Sequence, residues 1–180
     1  MLEQRYTHVQ MIALVILRVF IGWHFLYEGV SKLLKDNWTA AGFLTQSKGV
    51  FAGLFHWMAN DPEVLDIINF LNIWGLIAIG LGLILGCLTR LAAVFGALLV
   101  LMYYMVNPPL IGYFYSIPTE GSYLLINKNL VELAALFVIA VTYSGRYIGL
   151  DRIIHALFKR RKAEVIVPVQ DVEVPAGSSQ

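Results

Sequence analysis

The sequence predicts an all-α integral membrane protein: a bundle of four spanning helices with an amphipathic interfacial helical segment in its first outer loop. Three observations predict this class. Of the 180 residues, 58% are apolar and only 14% are charged, which is more apolar than a typical water-soluble domain. The mean hydropathy is +0.69. Four apolar stretches are long enough, or nearly so, to cross the roughly 30 Å of hydrocarbon in a bilayer.

The ends of the predicted spans follow from local signals. The bundle is assigned residues 1–158, with spans at about residues 9–28, 64–88, 90–107 and 129–147. Arg18 interrupts the first apolar stretch and no small-residue cleavage site follows, so this stretch is predicted to be a helix and not a signal peptide. Asp61 and Pro62 supply an N-cap and a first-position proline for the second helix. Thr89 is expected to cap the third helix, and the Pro108–Pro109 pair to end it.

The first outer loop and the C-terminal tail differ in pattern. The loop, residues 37–60, carries apolar side chains at helical spacing between Trp38 and Trp57. This pattern is typical of one or two amphipathic helices that lie in the membrane surface or cap the bundle. Residues 159–180 begin with basic side chains and continue with proline, glycine and serine without a helical period. They are predicted to form a disordered tail on the cytoplasmic side.

Lysine and arginine are unevenly divided between the two sides of the predicted spans, and this division predicts orientation. The N-terminus, the second turn and the C-terminus hold Arg5, Arg90, Arg146, Arg152, Lys159, Arg160, Arg161 and Lys162. The two long loops hold Lys32, Lys35, Lys48 and Lys128, with acidic residues beside them. Both termini are therefore predicted to be cytoplasmic, and the two long loops to lie outside.

Composition excludes several classes of function. The formal net charge is +1, without a basic face that could follow a phosphate backbone, so nucleic-acid binding is excluded. The single cysteine, Cys87, cannot form an intrachain disulfide or a CxxC pair, and the four histidines lack metal-ligand spacing. The sequence carries no recognisable motif for a metal, a haem or a flavin.

Charged side chains in the first span are the leading candidates for a functional site, because each costs about 2.5–3.5 kcal/mol to insert at bilayer depth. Four of them share a helical face roughly 120° wide: Arg18, His24, Glu28 and Lys32. Arg18 is placed near the midplane and is expected to contact an acid inside the bundle, with Glu132 the first candidate and Glu28 the second. Lys32 is interpreted as a surface partner of Glu28.

Two interpretations of Glu132 stay open. Glu132 follows Asn129 by three residues, which is the spacing of a capping box and a purely structural role. If the helix instead begins near Leu124, Glu132 lies about two turns deep and can meet Arg18 or His24.

More polar residues enter the second and third helices from the outer side. They are Asp66, Asn69, Asn72, Tyr103, Tyr104 and Asn107. Tyrosine in such a position is most often an interfacial residue. Together with the polar residues of the first helix, however, these side chains predict a polar pocket that opens outward.

Four motifs occur in order along the chain. They are Arg18-x3-Gly22-x2-Phe25-x3-Gly29-x2-Lys32, Trp38-Thr39-Ala40-Ala41-Gly42-Phe43-Leu44, Gly86-Cys87-Leu88-Thr89-Arg90-Leu91-Ala92 and Gly145-Arg146-Tyr147-Ile148-Gly149-Leu150-Asp151-Arg152. Together they resemble the DoxX/DoxD family, which includes the small subunit of thiosulfate:quinone oxidoreductase. The resemblance covers about residues 10–155. It implies a multi-pass protein of the bacterial cytoplasmic membrane, associated with quinone-linked sulfur or thiol redox chemistry.

The first functional hypothesis is a membrane subunit of a quinone-linked oxidoreductase that acts on reduced sulfur compounds or thiols, similar to thiosulfate:quinone oxidoreductase. Quinone accepts the electrons, and a small anionic sulfur compound is a possible ligand. The candidate catalytic residues, which attract the anion or move protons, are Arg18, His24, Glu28 and Glu132. The candidate quinone-binding residues, a cation and flat aromatic walls, are Lys32, Trp74, Tyr103 and Tyr104.

The second hypothesis is a non-catalytic membrane anchor or assembly partner for a soluble oxidoreductase. The lack of a cofactor motif favours this hypothesis, whereas the charged face of the first helix favours the first one. Both hypotheses predict contact with the lipid bilayer and with another protein subunit or a second copy of the chain. A solute carrier is disfavoured, because four short spans without an inverted repeat are unlike secondary transporters.

Overall fold

The computed structural model describes residues 6–110, 112, 115, 125–142, 144–152 and 156. Within these residues the secondary structure is helical, without a strand. The helices are α1 His8–Leu33, α2 Ala41–Leu44, α3 Ala52–Asn60, α4 Pro62–Leu85, α5 Thr89–Val106, α6 Lys128–Thr142 and α7 Ser144–Tyr147. The predicted all-α class is therefore confirmed for the described residues, whereas the predicted disordered tail, residues 159–180, lies outside them.

Among the described helices, α1, α4 and α5 are long and apolar enough to cross a membrane. Large apolar side chains on their outward faces are exposed, among them Phe20, Phe70 and Phe95, as contact with lipid requires. The predicted fourth span, residues 129–147, contains α6 and α7. With 15 residues, α6 is shorter than the roughly 20 residues that a bilayer requires. The fourth crossing therefore stays a prediction.

Local capping signals set the starts of α1 and α4. Thr7 and Gln10 form a capping box, in which the Gln10 amide donates to Thr7 Oγ1 and the Thr7 amide donates to Gln10 Oε1. Asp61 Oδ1 accepts hydrogen bonds from the amides of Glu63 and Val64 at 3.1 and 3.2 Å. The predicted N-cap of the second span is thus confirmed.

The start of α5 differs from the prediction. Thr89 is the first residue of this helix and not its cap, and Leu88 precedes it in the left-handed region with a φ of 50°. The amides of Leu88 and Thr89 donate to the carboxylate of Asp151 at 2.6 and 2.9 Å. Asp151 in turn donates its own amide to Gly86 O at 2.8 Å. The cap is therefore supplied by the C-terminal motif, which lies far from α5 in sequence.

Glycines allow α1 and α4 to pack closely. A Cβ on Gly80 would lie 2.5 Å from Leu26 N and 2.8 Å from Gly22 O. A Cβ on Gly29 would lie 2.8 Å from Ile77 Cγ1. Small residues let helix backbones approach where lipid supplies no hydrophobic drive. The core between α1, α4, α5 and α6 includes Ile21, Phe25, Leu76, Ile79, Leu83, Val100, Leu136 and Ile139.

The helices α2 and α3 cover one end of the bundle. We call this end, at Leu33, Pro62, Val106 and Lys128, the outer end after its predicted orientation, and the opposite end the inner end. A second apolar cluster there is formed by Ala40, Leu44, Phe55 and Val106. Helices thus occur in the loop where the apolar pattern predicts them, while their depth in the membrane surface stays a prediction.

Candidate functional site

The ammonium group of Lys32 points into the outer end of the bundle. Its Nζ atom donates to Asn72 Oδ1 at 3.1 Å and to the hydroxyl of Tyr103 at 3.4 Å. Glu28 Oε2 lies 3.9 Å from the same atom, and the side chain of Lys32 is only 17% exposed, compared with 43% for Glu28. The predicted pair with Glu28 is present, but Lys32 is not the surface residue that the helical spacing indicated.

Aromatic rings surround this ammonium group. Lys32 Nζ lies 5.2 Å from the ring centroid of Trp38 and 5.4 Å from that of Tyr103, within the range of cation–π attraction. The ring of Phe43 packs edge-on against Tyr103, with centroids 5.6 Å apart. We call Lys32, Trp38, Asn72 and Tyr103 the Lys32 cluster. Since Trp38 belongs to the loop that carries α2, this loop closes the cluster from outside.

Asn72 links the two polar groups of the Lys32 cluster. Its side chain is buried at 5% exposure, and its Nδ2 atom donates to the Tyr103 hydroxyl at 2.7 Å. The sequence offered only a weak signal for this residue, its place in a polar row on the second helix. The partners Lys32 and Tyr103 lie 40 and 31 residues away, and no local pattern links them to Asn72.

A second polar pair joins α1 to α6 in the same half of the bundle. His24 Nε2 lies 3.9 Å from Glu132 Oε2, with the two side chains 52% and 17% exposed. Asn127 supplies the cap of α6, because its Oδ1 atom accepts a hydrogen bond from the Leu130 amide at 3.2 Å. Neither interpretation of Glu132 holds as stated, because Asn127 and not Asn129 caps α6, and α6 begins at Lys128 and not near Leu124. Glu132 lies about one turn into this helix and still meets His24, as the second interpretation expected.

Arg18 lies apart from these groups, near the inner end. Arg18 is only 2% exposed. Its Nη1 atom lies 2.9 Å from the position that a Cβ would take on Gly86. Glu132 and Glu28, the partners expected for Arg18, are instead paired with His24 and Lys32. Arg18 lies beside Gly86, whose carbonyl oxygen accepts the Asp151 amide at 2.8 Å, so the expected partner is wrong and Asp151 is the acid near this end of α1. The physical reason is that side chains on a helix lean toward its N-terminus, which for α1 is the inner end.

Two further candidates, Trp74 and Tyr104, make their ring contact and hydrogen bond outside the Lys32 cluster. Trp74 is 49% exposed and packs beside Phe70, with ring centroids 6.4 Å apart. The hydroxyl of Tyr104 donates to the carbonyl oxygen of Leu125 at 3.1 Å. Their assignment as walls of a quinone site stays a prediction.

The arrangement combines a pair of hydrogen-bond donors with a row of proton carriers. The donors are Lys32 Nζ and the Tyr103 hydroxyl. The carriers are Glu28, His24 and Glu132, and Glu28 lies one helical turn from both His24 and Lys32. In the part of the chain that the structure describes, histidine, cysteine and acidic residues form no group of three or more that could hold a metal ion.

The comparisons with known proteins give one match. A family model described as DoxX matches residues 13–107, more than half of the chain. This segment contains α1 to α5 except for the first turn of α1, and it includes all four residues of the Lys32 cluster. No match to the chain was obtained among curated proteins or among solved structures.

Proposed function

The chain belongs to the DoxX family, membrane proteins generally associated with oxidoreductase and quinone functions, and from this premise we propose that it is the membrane subunit of a quinone-linked oxidoreductase. Its electron donors are reduced sulfur compounds or thiols. The Lys32 cluster receives the quinone headgroup. The observation that carries the proposal is the position of Lys32 Nζ, 3.4 Å from the Tyr103 hydroxyl and over the ring of Trp38, at the outer end of the bundle.

The chemistry of the Lys32 cluster fits a quinone. A quinone headgroup is flat and largely apolar and has two carbonyl acceptors, so its site needs apolar walls with a small number of donors. Trp38 and Phe43 offer aromatic walls, while Lys32 and Tyr103 offer the donors.

The charge balance of the cluster supports an uncharged ligand. The ammonium of Lys32 lies 3.9 Å from the carboxylate of Glu28, so the cation of the cluster is already balanced by an acid. An anion such as a sulfur oxyanion would meet no net positive charge there. We therefore assign the quinone, and not the small anionic sulfur compound, to the Lys32 cluster.

Reduction of a quinone to a quinol takes up two electrons and two protons. In the proposal, His24 and Glu132 exchange protons across their 3.9 Å separation, and Glu28 passes them toward Tyr103. Positioned acids and bases of this kind typically contribute 10²–10⁴-fold to a rate. The two electrons come from the sulfur compound or thiol, through a partner subunit or a second copy of the chain.

The cover over the outer end supports entry of the ligand from the lipid. The Ala40 amide donates to Asn69 Oδ1 at 2.8 Å, and Leu44 of α2 and Phe55 of α3 are the buried side chains of the same loop. Among the described residues, these contacts cover the cluster on the side of the outer water. By contrast, His24 is half exposed on the side of α1, where a lipid-soluble ligand could approach between α1 and α6.

Quinone binding by the purified protein tests the proposal. The protein would be placed in lipid nanodiscs and titrated with decylubiquinone and with menadione, while its tryptophan fluorescence is followed. We expect saturable quenching that weakens in both Lys32→Met and Lys32→Arg, because the arginine fork cannot replace a point-like ammonium in the cluster. Lys35→Met, which removes an exposed lysine three residues away, is the matched control.

The same preparation separates the proposal from the alternative of an anchor. If the parent protein binds neither quinone but copurifies with a soluble oxidoreductase, the quinone site is wrong and the anchor hypothesis holds. If quinone binds equally well to the parent and to both Lys32 variants, the Lys32 cluster is not the site.

A further inference from the structure

We infer that Asn72 is a positioning residue that turns the hydroxyl proton of Tyr103 away from Asn72 and Lys32 and toward the ligand. This inference rests on the proposed function, because it assigns the Tyr103 donor to a quinone carbonyl. It adds a role for a residue that does not itself touch the ligand.

The first step is the hydrogen bonding of the Tyr103 hydroxyl. A phenol oxygen carries two acceptor positions and one proton. Asn72 Nδ2 donates to this oxygen at 2.7 Å, and Lys32 Nζ donates to it at 3.4 Å. Both acceptor positions are thus filled, and the proton must point away from Asn72 and Lys32. Among the described residues it has no acceptor, so it is free to meet a ligand.

The second step is the orientation of the Asn72 amide. An ammonium group has three donors and no acceptor, so Lys32 can bond only to the oxygen of the amide. Asn72 Oδ1 accordingly accepts from Lys32 at 3.1 Å, which leaves Nδ2 for Tyr103. Lys32 therefore sets the orientation of the Asn72 amide, and this amide sets the direction of the Tyr103 hydroxyl proton.

The third step is that burial holds this arrangement in one state. Asn72 is 5% exposed, so water does not compete for its amide. The edge-on contact of Phe43 holds the Tyr103 ring from the other side. Burial and the contact with Phe43 therefore favour one arrangement of the Asn72 amide and the Tyr103 ring.

Asn72→Asp is the decisive variant, because it changes the hydrogen bonding without changing the shape. A carboxylate only accepts, so Tyr103 would donate to residue 72 and turn its proton away from the ligand. Lys32 would gain a carboxylate partner, which favours folding. We expect affinity for decylubiquinone to fall about tenfold, as for one lost hydrogen bond, while the thermal midpoint in detergent stays the same or rises.

Tyr103→Phe should weaken affinity to a similar extent, and the double variant should lose no more than either single variant. Asn69→Asp is the matched control, one turn earlier on α4. Asn69 Oδ1 accepts from the Ala40 amide, and Asn69 Nδ2 donates to Thr39 Oγ1 at 3.4 Å. An aspartate can keep the first bond and accept from the Thr39 hydroxyl in place of the second, so the affinity of Asn69→Asp for decylubiquinone should equal that of the parent.

Infrared spectroscopy tests the hydroxyl directly, without a quinone. The C–O stretching band of Tyr103 is assigned in protein with labelled tyrosine rings as the band that Tyr103→Phe lacks. This band should shift in Asn72→Asp and stay in place in Asn69→Asp. An unshifted band in Asn72→Asp would overturn the inference. It would also be overturned if Asn72→Asp bound quinone with the affinity of the parent while Tyr103→Phe bound it more weakly. Failure of the parent to bind quinone would overturn the proposed function, and a shifted band would then still uphold the orientation of Tyr103.

Discussion

Asp151 Oδ2 accepts a hydrogen bond from the Thr89 amide at 2.9 Å, across 62 residues of sequence. The other carboxylate oxygen accepts from the Leu88 amide at 2.6 Å, so one side chain caps the whole start of α5. The Asp151 amide donates to Gly86 O at 2.8 Å, and the buried guanidinium of Arg18 lies beside Gly86. The C-terminal motif, the turn between α4 and α5, and the middle of α1 therefore meet at Gly86 and Asp151.

Asp151→Ala should destabilise the protein more than the loss of an ordinary cap does. Removal of an N-cap costs about 0.5–2 kcal/mol, and here the buried Arg18 also loses the carboxylate nearest to its end of α1, which adds to that cost. The measurement is unfolding of the purified protein in mild detergent. Asp61→Ala is the control, because Asp61 caps α4 only through the local amides of Glu63 and Val64. Equal losses in the two variants would contradict this account.

Arg18→Met should cost less stability than Asp151→Ala. Asp151 would keep both amide bonds, and methionine would remove a buried cation whose Nε and Nη1 atoms have no hydrogen-bond partner within the described residues. Replacement of a buried charge by an apolar side chain of similar volume is often close to neutral. In the Arg18→Met background, Asp151→Ala should cost only about 0.5–2 kcal/mol, the value of the cap. A larger loss for Arg18→Met than for Asp151→Ala would show that Arg18 has a further partner.

These contacts show what the sequence could and could not predict. The first three spans and the Asp61 cap depend on residues that are close in sequence, so hydropathy and spacing are sufficient to predict them. A helical wheel correctly grouped Arg18 with Lys32 on one face, but it does not give the direction of a long side chain along the axis. Arg18 extends toward the inner end, and Lys32 lies about 21 Å away along α1. The charged residues predicted to share one face are therefore divided between the two ends of the bundle.

The burial of Lys32 was missed for a different reason. Its spacing to Glu28 is that of an ordinary surface pair, which is what sequence alone predicts for such a pair. The structure places it inside because Asn72, Tyr103 and Trp38 arrive from α4, α5 and the loop to surround it. Such a site is a property of tertiary packing, and its sign in the sequence is limited to the polar residues at the outer ends of the second and third helices.

Gly80→Ala should destabilise the contact between α1 and α4. The new methyl group would lie 2.5 Å from the backbone nitrogen of Leu26, so the two helices would have to separate, at a cost of about 1–3 kcal/mol. Gly75→Ala is the control on the same helix, because a Cβ there meets no atom within 4 Å. It should be neutral or stabilise by up to about 1 kcal/mol through helix propensity. Thermal unfolding in detergent gives both values, and equal effects would rule out the close helix contact.

Cysteine labelling should establish four crossings. With Cys87 replaced by serine, a cysteine at Lys48 should react with a membrane-impermeant maleimide in intact cells. A cysteine at Ser178 should react only after the cells are permeabilised, because an even number of spans keeps both termini on the cytoplasmic side. Lys35→Cys, at the outer end of α1, serves as a second external position. External labelling at Ser178 would mean that α6 and α7 do not complete a crossing.

Glu132→Gln should lower quinone-linked turnover much more than it lowers quinone affinity. Glutamine has nearly the same shape but cannot carry a proton, so the pair with His24 would lose its acid, and we expect about a 10²-fold fall in rate. His24→Gln should give a similar fall, and the double variant should fall little further, because the two side chains act as one unit at 3.9 Å. Glu63→Gln, which removes an exposed carboxylate in the first turn of α4, is the control for the change of charge. If Glu132→Gln turns over quinone at the rate of the parent, this pair is not part of the proton path. If Glu132→Gln loses only affinity for quinone, Glu132 instead belongs to the binding surface.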